Sequence, residues 1–514
     1  MDLMTSRFIN VDNGQRVSFP GLFAALASGS VRGFPALRPH QRPALHMFLV
    51  QLGALALWHQ SSEARTPADF PTDPAFWADA LRALTSDDPD DAPWRLVVDD
   101  DSKPAFLQPP APDGLSWSAV ETADALDLLI TSRNHDLKQT IARRATVEDW
   151  VFALVSLQTT EGYGGKGNQG IARMNGGSSS RSMLSFAPAA TEHDNTVDHS
   201  GWWITDVTEL LARRAAGMEN GPGTIGGPAL LWCSPWPEGE QLDMRALDPW
   251  FIEVCRRVRL SNGASISARR STSKKTRIDA KAFKGSVGDP WAPVHKTEGK
   301  ALTLGGGDFD YRRLCSLLFS GEWDVPALAR RSASRSSSVL LVAEALSRGN
   351  AKTEGFKSRV LPIPGRVARR LFSSPTAADL SSRQMVEVEQ FDKALRTSLA
   401  LVAARGDREL LNKDHYGFSR VAQTRFNRAV DRFFFPSLWR RFEAASDPAA
   451  NERERSVFLR QLSQAARSEF ESALPGIPCT TIQRPRAEAR ARKWFRDSLW
   501  RTFPEGFDQG GTQS

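Results

Sequence analysis

The chain has 514 residues, of which 41% are hydrophobic and 24% charged, and its mean hydropathy is −0.37. These values are typical of a soluble globular protein and exclude a largely disordered or fibrous chain. The four cysteines are scattered without a CxxC pair, which argues against a structural zinc site or a disulfide framework and suits a reducing compartment.

No apolar signal-peptide core opens the chain, so we expect no secretory leader. The most apolar run, Ala44–Trp58, carries His46 and Gln51 and is too short to span a bilayer. The sequence therefore predicts a cytoplasmic protein without membrane contact.

Positive charge is concentrated in one segment of the chain. The formal net charge is +7, and the stretch from Arg256 to Lys284 holds ten basic residues against one acid, Asp279. Such a segment fits a local contact with nucleic-acid phosphates, and it fits a solvated basic loop equally well.

The first part of the chain predicts mixed helix and strand. Its patterns indicate an N-terminal hairpin around a turn at Asp12-Asn-Gly and a buried helix near residue 50. Further predicted elements are a strand at Trp94–Val98, helices at Val147–Leu157 and Ser337–Ser347, and a strand at Val360–Ile363.

The character of the sequence changes after residue 375. Four long stretches with helical periodicity follow, joined by short polar connections: Leu380–Arg405, Ser419–Ala445, Asn451–Leu474 and Arg486–Phe503. The predicted fold class is therefore α+β, with a large mixed α/β N-terminal domain over residues 1–375 and a C-terminal four-helix bundle over residues 376–514.

Motifs for catalysis are weak. No GxxxxGK[ST] loop is present, because Gly165-Lys166 is followed by glycine and Lys352-Thr353 is preceded by Ala351, so an NTPase is disfavoured. His135-Asp136 is the type of dipeptide that supplies two metal ligands in phosphohydrolases, yet no helical pattern presents the further ligands such a site needs. We predict neither a catalytic nor a metal site, and no cofactor.

Three polar segments are more informative. Gly162-Tyr-Gly-Gly-Lys-Gly-Asn lets the backbone approach a groove or a phosphate closely, although a flexible connection has the same composition. A second segment, Ile130–Lys138, offers donors to a nucleic-acid strand or a partner subunit, or is a capped turn. The third, Arg348–Arg359, predicts a hairpin with Asn350 and Lys352 at its tip, or an ordinary surface turn.

Taken in order, these segments resemble the CasA-type large subunit of the type I-E CRISPR Cascade complex. The resemblance covers nearly the whole chain and includes Phe8-Ile-Asn-Val, Phe106-Leu-Gln, Gly288-Asp-Pro-Trp and the C-terminal helices. It implies a non-catalytic subunit that recognises the protospacer-adjacent motif in double-stranded DNA, promotes strand separation and helps recruit a helicase-nuclease. The implied partners are the 5′ end of the guide RNA, the target duplex, the other Cascade subunits and the helicase-nuclease.

The resemblance also assigns roles to residues. The motif reader corresponds to Gly162, Gly164, Gly165 and Lys166, with Gly164 and Gly165 nearest the base pairs. The strand-separating wedge corresponds to Asn350, Ala351 and Lys352, where the family usually has a glutamine. The loop that contacts guide RNA or neighbouring subunits corresponds to Arg133, Asn134, His135 and Lys138. Candidates for a basic DNA contact are Arg269, Arg270, Lys274 and Lys275.

Two other classes of function remain open from the residues. One is a metal-dependent nuclease using His135 and Asp136, and the other is a basic scaffold protein that does not sense sequence.

Overall fold

The computed structural model describes residues 1–127, 145–191, 195–330, 339–349, 352–372 and 375–504. These residues form two compact units. The first unit comprises Met1–Phe309 with Glu322–Ile363, and the second comprises Asp310–Gly321 with the chain from Pro364 onward. The second unit thus begins before residue 375 and includes segment 310–321, which the sequence analysis placed in the N-terminal domain.

The first unit contains thirteen strands and six helices among its described residues. The helices are α1 (Phe19–Ala27), α2 (Arg42–Gln60), α3 (Pro74–Ala83), α4 (Ala123–Leu126), α5 (Val147–Thr160) and α6 (His199–Ala215). The strands are β1 (Ile9–Asn10), β2 (Arg16–Val17), β3 (Ser118–Val120), β4 (Met183–Pro188), β5 (Leu242–Asp243), β6 (Arg257–Ser261), β7 (Ser267–Ser271), β8 (Ile278–Asp279), β9 (Val294–His295), β10 (Lys300–Ala301), β11 (Trp323–Asp324), β12 (Val339–Gly349) and β13 (Lys352–Ile363).

Helix α2 is the centre of this unit. It packs against α3, α5 and α6, and every residue from Pro43 to Leu57 is buried. A helix buried on all sides needs apolar residues around its whole circumference, which explains its lack of a strong polar face. Its two buried polar side chains have buried partners: His46 pairs with Asp206 at 2.9 Å, and Gln51 donates to the backbone carbonyl of Phe251 at 2.8 Å.

Two three-stranded antiparallel sheets flank the site described below. One has the order β13-β12-β4, with Val339 paired to both Ile363 and Pro188. The other has the order β3-β7-β6, with Arg269 of β7 lying between Ala119 and Arg259. The predicted N-terminal hairpin is confirmed, because β1 and β2 pair antiparallel.

Two predicted elements are wrong. Residues 339–347, predicted as helix, form strand β12, because the run pairs on both sides with β4 and β13, and its buried Glu344 forms an ion pair with Arg42. Residues 94–98, predicted as strand, begin with the last residue of a 3-10 turn, Ala92–Trp94, and contribute only the isolated bridge of Arg95 to Asp2.

The second unit is helical, and the predicted fold class is confirmed. Its described helices are α7 (Tyr311–Phe319), α8 (Gly365–Ala368), α9 (Thr376–Ala403), α10 (Lys413–Gly417), α11 (Arg420–Glu443), α12 (Pro448–Ala473) and α13 (Arg484–Thr502). The four long helices match the four predicted stretches closely, and α9 packs against α11, α12 and α13. Stacked phenylalanines fill their interior: Phe391 with Phe503, and Phe470 with Phe495.

Candidate nucleic-acid interface

The glycine loop, residues 162–170, leaves the end of α5 through a narrow neck. At this neck the amide of Gly162 donates to the Ser179 carbonyl at 3.1 Å, and the amide of Tyr163 donates to the Gly177 carbonyl at 2.7 Å. A Cβ on Gly162 would lie 2.4 Å from the Ser179 oxygen. Glycine at 162 is therefore required by the close passage of two backbones.

The tip of the loop is a β-turn that projects a lysine. The amide of Asn168 donates to the Gly165 carbonyl at 2.9 Å, and the amide of Gly164 donates to the Asn168 carbonyl at 2.9 Å. Gly167, the third residue of the turn, has a φ of +78°, the value that a type II turn requires at this position. Lys166, the second residue, is exposed.

Gly165 differs from the other glycines of the tip. A Cβ on Gly164 would lie 3.2 Å from the guanidinium of Arg256, and one on Gly167 would lie 2.5 Å from the Cβ of Thr272. A Cβ on Gly165 would meet no described atom within 4 Å, although its φ is +111°. Packing inside the described protein therefore explains glycine at 167 and crowds a side chain at 164, and it leaves the backbone at 165 open to the outside.

The structure brings the glycine loop onto the basic segment, residues 256–284. The amide of Ser273 donates to the Gly167 carbonyl at 2.9 Å, and Thr272 packs against Gly167. Lys166 of the loop and Lys274, one residue beyond Ser273, are both exposed. Two segments that the sequence marked independently thus form one surface, although about 100 residues separate them.

The ten basic residues of this segment divide by burial. Four arginines are buried and hydrogen-bond inward: Arg256, Arg257, Arg259 and Arg277. Arg269 is half-buried, with its guanidinium 2.6 Å from an Asp101 carboxylate oxygen and 4.7 Å from the centre of the Trp117 ring. The exposed members are Arg270, Lys274, Lys275, Lys281 and Lys284. Half of the charge of the segment is therefore available to a phosphate.

Arg256 lies directly under the glycine loop. Its Nη2 donates to the Gly162 carbonyl at 2.7 Å and lies 3.4 Å from the Glu161 carboxylate. Burial lowers the pKa of Arg256, but the charge of Glu161 and the contact with Cys255 outweigh it, so the pKa is raised and the guanidinium stays charged. The side-chain amide of Gln158 accepts from the Arg256 amide at 2.8 Å and donates to its carbonyl at 3.0 Å, which fixes the backbone at this residue.

A buried carboxylate holds the chain where it leaves the loop. Glu253 accepts from the amide of Ala172 at 2.7 Å, and Arg173 lies over the Phe251 ring at 4.0 Å. Burial raises the pKa of Glu253 to about 7, more strongly than the nearby charge of Arg173 lowers it. Both ends of the glycine loop are therefore anchored by ionisable side chains from the segment 253–256.

Two groups of candidate residues lie wholly or partly outside the described ranges. The predicted guide-RNA or subunit loop, with Arg133, Asn134, His135 and Lys138, falls there entirely. The predicted wedge lies between β12 and β13, whose antiparallel pairing confirms the hairpin; Asn350 and Ala351 fall outside, and Lys352 begins β13 opposite Gly349.

No group of three or more histidine, cysteine, aspartate or glutamate side chains in the described part of the chain could hold a metal ion. His135 and Asp136 lie outside that part. The described helices include none that is long and apolar enough to cross a membrane.

Sequence reasoning missed the residues that support the loop. Arg256 and Glu253 contact the loop and its exit but follow them in the chain by more than 80 residues, and Thr272 was not singled out. The available signal was the density of arginines after residue 255, which the sequence could not divide into buried and exposed members.

The fold is shared with known proteins, although the sequence is not. No family model matches the sequence, and no curated protein matches it, whereas solved structures of CRISPR-associated proteins match over nearly the whole chain. The fold is that of CasA.

Three of these structures illustrate the similarity. CasA from Thermus thermophilus is 16% identical, with 98% of this chain and 99% of that chain covered and a TM-score of 0.67. Cse1 from Thermobifida fusca is 14% identical, with 98% of each chain covered and a TM-score of 0.65. The CRISPR-associated protein Cse1 from Acidimicrobium ferrooxidans is 17% identical, with 98% of each chain covered and a TM-score of 0.63.

Proposed function

We propose that this chain is the non-catalytic large subunit of a type I-E Cascade complex, acting in the cytoplasm, and that it recognises the protospacer-adjacent motif in double-stranded DNA. In this role it promotes strand separation and helps recruit the helicase-nuclease. Its partners are the 5′ end of the guide RNA, the target duplex and the other Cascade subunits. The CasA fold over 98% of the chain supports this assignment.

The observation that carries the DNA-reading part is the joining of the glycine loop to exposed lysines. The hydrogen bond from Ser273 to Gly167 places Lys166 and Lys274 on the same surface as the open backbone of Gly165. Lysines bind phosphates without regard to sequence, whereas a backbone without a side chain can enter the narrow minor groove. The surface therefore combines lysines that hold the phosphates with a backbone that reads the base pairs.

The chemistry of the minor groove sets what such a reader can do. The groove distinguishes A·T from G·C pairs but displays a degenerate pattern otherwise, so a glycine backbone reads few positions and tolerates several motifs. In RNA-guided complexes generally, base pairing with the guide supplies the sequence specificity and the protein reads only a short motif. The hairpin β12–β13, with the candidate wedge Asn350–Lys352 at its tip, is the element we assign to strand separation.

The substitution Gly165→Ala tests the reader. Alanine disfavours the φ of +111° and puts a methyl group where the groove would lie, so we expect at least a tenfold loss of discrimination between correct and mutated motifs by the assembled complex. The Gly165→Ala complex should bind a target that is already melted across the motif nearly as well as the wild-type complex does.

Gly14→Ala is the matched control, since Gly14 has a φ of +79°, equally open surroundings and a place in the N-terminal hairpin. It should leave discrimination unchanged. If the Gly165→Ala complex keeps full wild-type discrimination, the glycine loop is not the reader.

The absence of catalysis is tested directly. We expect the purified chain to cleave neither DNA nor RNA with Mg²⁺ or Mn²⁺, measured by gel assays on labelled substrates. Metal-dependent cleavage that His135→Ala abolishes would replace this proposal with the nuclease alternative.

A further inference from the structure

The guanidinium of Arg256 contacts Gly162 and Glu161 at the neck of the glycine loop and lies next to Gly164. It donates to the Gly162 carbonyl, lies 3.4 Å from the Glu161 carboxylate and fills the space into which a Cβ of Gly164 would project. Because Arg256 is only 6% exposed, it cannot itself contact a duplex. Its influence on DNA must pass through the loop.

The backbone of Arg256 is as firmly held as its side chain. Gln158 of α5 bonds to both the amide and the carbonyl of Arg256 and also accepts from the amide of Cys255 at 3.0 Å. Gln158 is itself completely buried. Arg256, which supports the loop, is therefore held firmly by helix α5, which precedes the loop. This fixed contact sets the direction in which the open backbone at Gly165 points.

We propose that Arg256 is the positioning residue for motif reading: its buried guanidinium fixes the neck of the glycine loop, and this fixed geometry, rather than the glycines alone, gives the loop its discrimination between motifs. This inference rests on the function proposed above. A loop without this support keeps Lys166 and the neighbouring lysines of the basic segment, and so keeps general affinity for DNA, but loses the orientation that separates one base pair from another.

The first readout needs no DNA. In the full-length chain, hydrogen exchange is measured by mass spectrometry at the loop amides of Tyr163, Gly164 and Asn168, which are all hydrogen-bonded within the loop or to its neck. Arg256→Met keeps most of the side-chain volume and removes the charge and the donors. We expect it to speed exchange at these amides at least tenfold, and we expect Arg256→Lys, which keeps the charge, to restore part of the protection.

Arg259→Met is the matched control. Arg259 is another buried arginine of the same segment, and its guanidinium bonds to the carbonyls of Val98 and Lys103, away from the loop. This variant loses an equivalent buried charge, but exchange in the glycine loop should stay at the wild-type rate. Unchanged loop exchange in Arg256→Met, or an equal acceleration in Arg259→Met, would overturn the inference.

The second readout compares assembled complexes on duplexes with correct, mutated and pre-melted motifs. We expect Arg256→Met to reduce discrimination about tenfold, the effect of losing one charge-assisted hydrogen bond, and to bind the pre-melted target normally. If Gly165→Ala loses discrimination and Arg256→Met keeps it, the inference fails and the proposed function stands. If Arg256→Met speeds loop exchange while Gly165→Ala keeps full discrimination, the proposed reader fails instead, and with it the role of Arg256 in reading.

Discussion

Near the candidate interface, buried arginines donate hydrogen bonds to backbone carbonyls that lie outside helices and strands. Arg259 bonds to the carbonyls of Val98, Asp100 and Lys103, and Arg277 bonds to those of Ser234 and Pro235. A guanidinium has five donors in a planar arrangement, so one side chain can satisfy several irregular turns at once. This explains how long stretches without helix or strand can lie in the interior of the first unit.

Glu253 gives this unit a stability that depends on pH. Its pKa is raised to about 7 by burial, whereas an unfolded glutamate titrates near 4.5. Between these values the unfolded chain has released a proton that the folded chain still holds, so the free energy of unfolding decreases as the pH rises. Below about pH 4.5 Glu253 is protonated in both the folded and the unfolded chain, so it no longer makes the free energy of unfolding depend on pH.

We expect Glu253→Gln to remove this dependence, because glutamine can still accept from the Ala172 amide but cannot ionise. The free energy of unfolding of the variant relative to wild type should rise by up to about 3 kcal/mol between pH 4.5 and 7, measured by urea titration. Glu298→Gln is the control, because Glu298 is exposed and its pKa is lowered by Lys300. A flat difference for Glu253→Gln across this range would contradict a raised pKa.

At the scale of elements, close packing on α2 depends on one glycine. A Cβ on Gly53 would lie 2.7 Å from the Trp203 ring of α6, which is buried and donates to the Leu49 carbonyl at 3.0 Å. A shift of the ring would strain this hydrogen bond. Gly53 lets α2 and α6 approach more closely than any side chain would allow.

We expect Gly53→Ala to destabilise the first unit by about 1–3 kcal/mol, the usual effect of overpacking, although alanine normally favours helix. Thermal unfolding of the full chain measures this. Gly417→Ala, at the end of α10 with no described atom within 4 Å of its added Cβ, should be neutral or slightly stabilising. A stabilised Gly53→Ala would show that the ring can shift.

The elements that the sequence predicted correctly are those whose signals are local. The four long C-terminal helices and α5 each repeat apolar residues with a helical period over many turns, and α5 begins with a capping box at Thr146 and Asp149. Residues 339–347 carry an apolar run that fits helix or strand. Its pairing with β13 on one side and with β4, about 150 residues earlier, on the other decides for strand.

The candidate interface was predictable to the same extent. The glycines and Lys166 are visible in the sequence, because their composition demands an unusual backbone. The docking of Gly167 on Thr272 and the support from Arg256 are contacts across about 100 residues, and no local pattern encodes them. The sequence therefore indicates the glycine loop and the basic segment separately, and only the fold shows that they are in contact.

At the scale of the whole molecule, the net charge of +7 says little about where DNA would bind. Much of the positive charge in the basic segment is neutralised or buried, as at Arg269, which Asp101 engages. What remains beside the glycine loop is a small exposed group that includes Lys166, Lys274 and Lys275. Binding through such a group should depend on few phosphate contacts.

The salt dependence of DNA binding measures the number of these phosphate contacts. If Lys274 and Lys275 each neutralise one phosphate, the double variant Lys274→Gln/Lys275→Gln should flatten the slope of log K against log salt concentration by about 1.8, that is about 0.9 for each contact, and should weaken all duplexes about equally. Arg269→Gln should change the slope less, because its charge is already paired with Asp101.

The decisive control keeps the total charge equal. Lys281 and Lys284 are exposed like Lys274 and Lys275 and belong to the same segment, so Lys281→Gln/Lys284→Gln removes the same charge from a different place. Filter-binding titrations of the assembled complex from about 50 to 200 mM salt give both slopes. An equal flattening in the two double variants would mean that binding depends on the total charge of the protein. The lysines beside the glycine loop would then have no special role in holding the duplex.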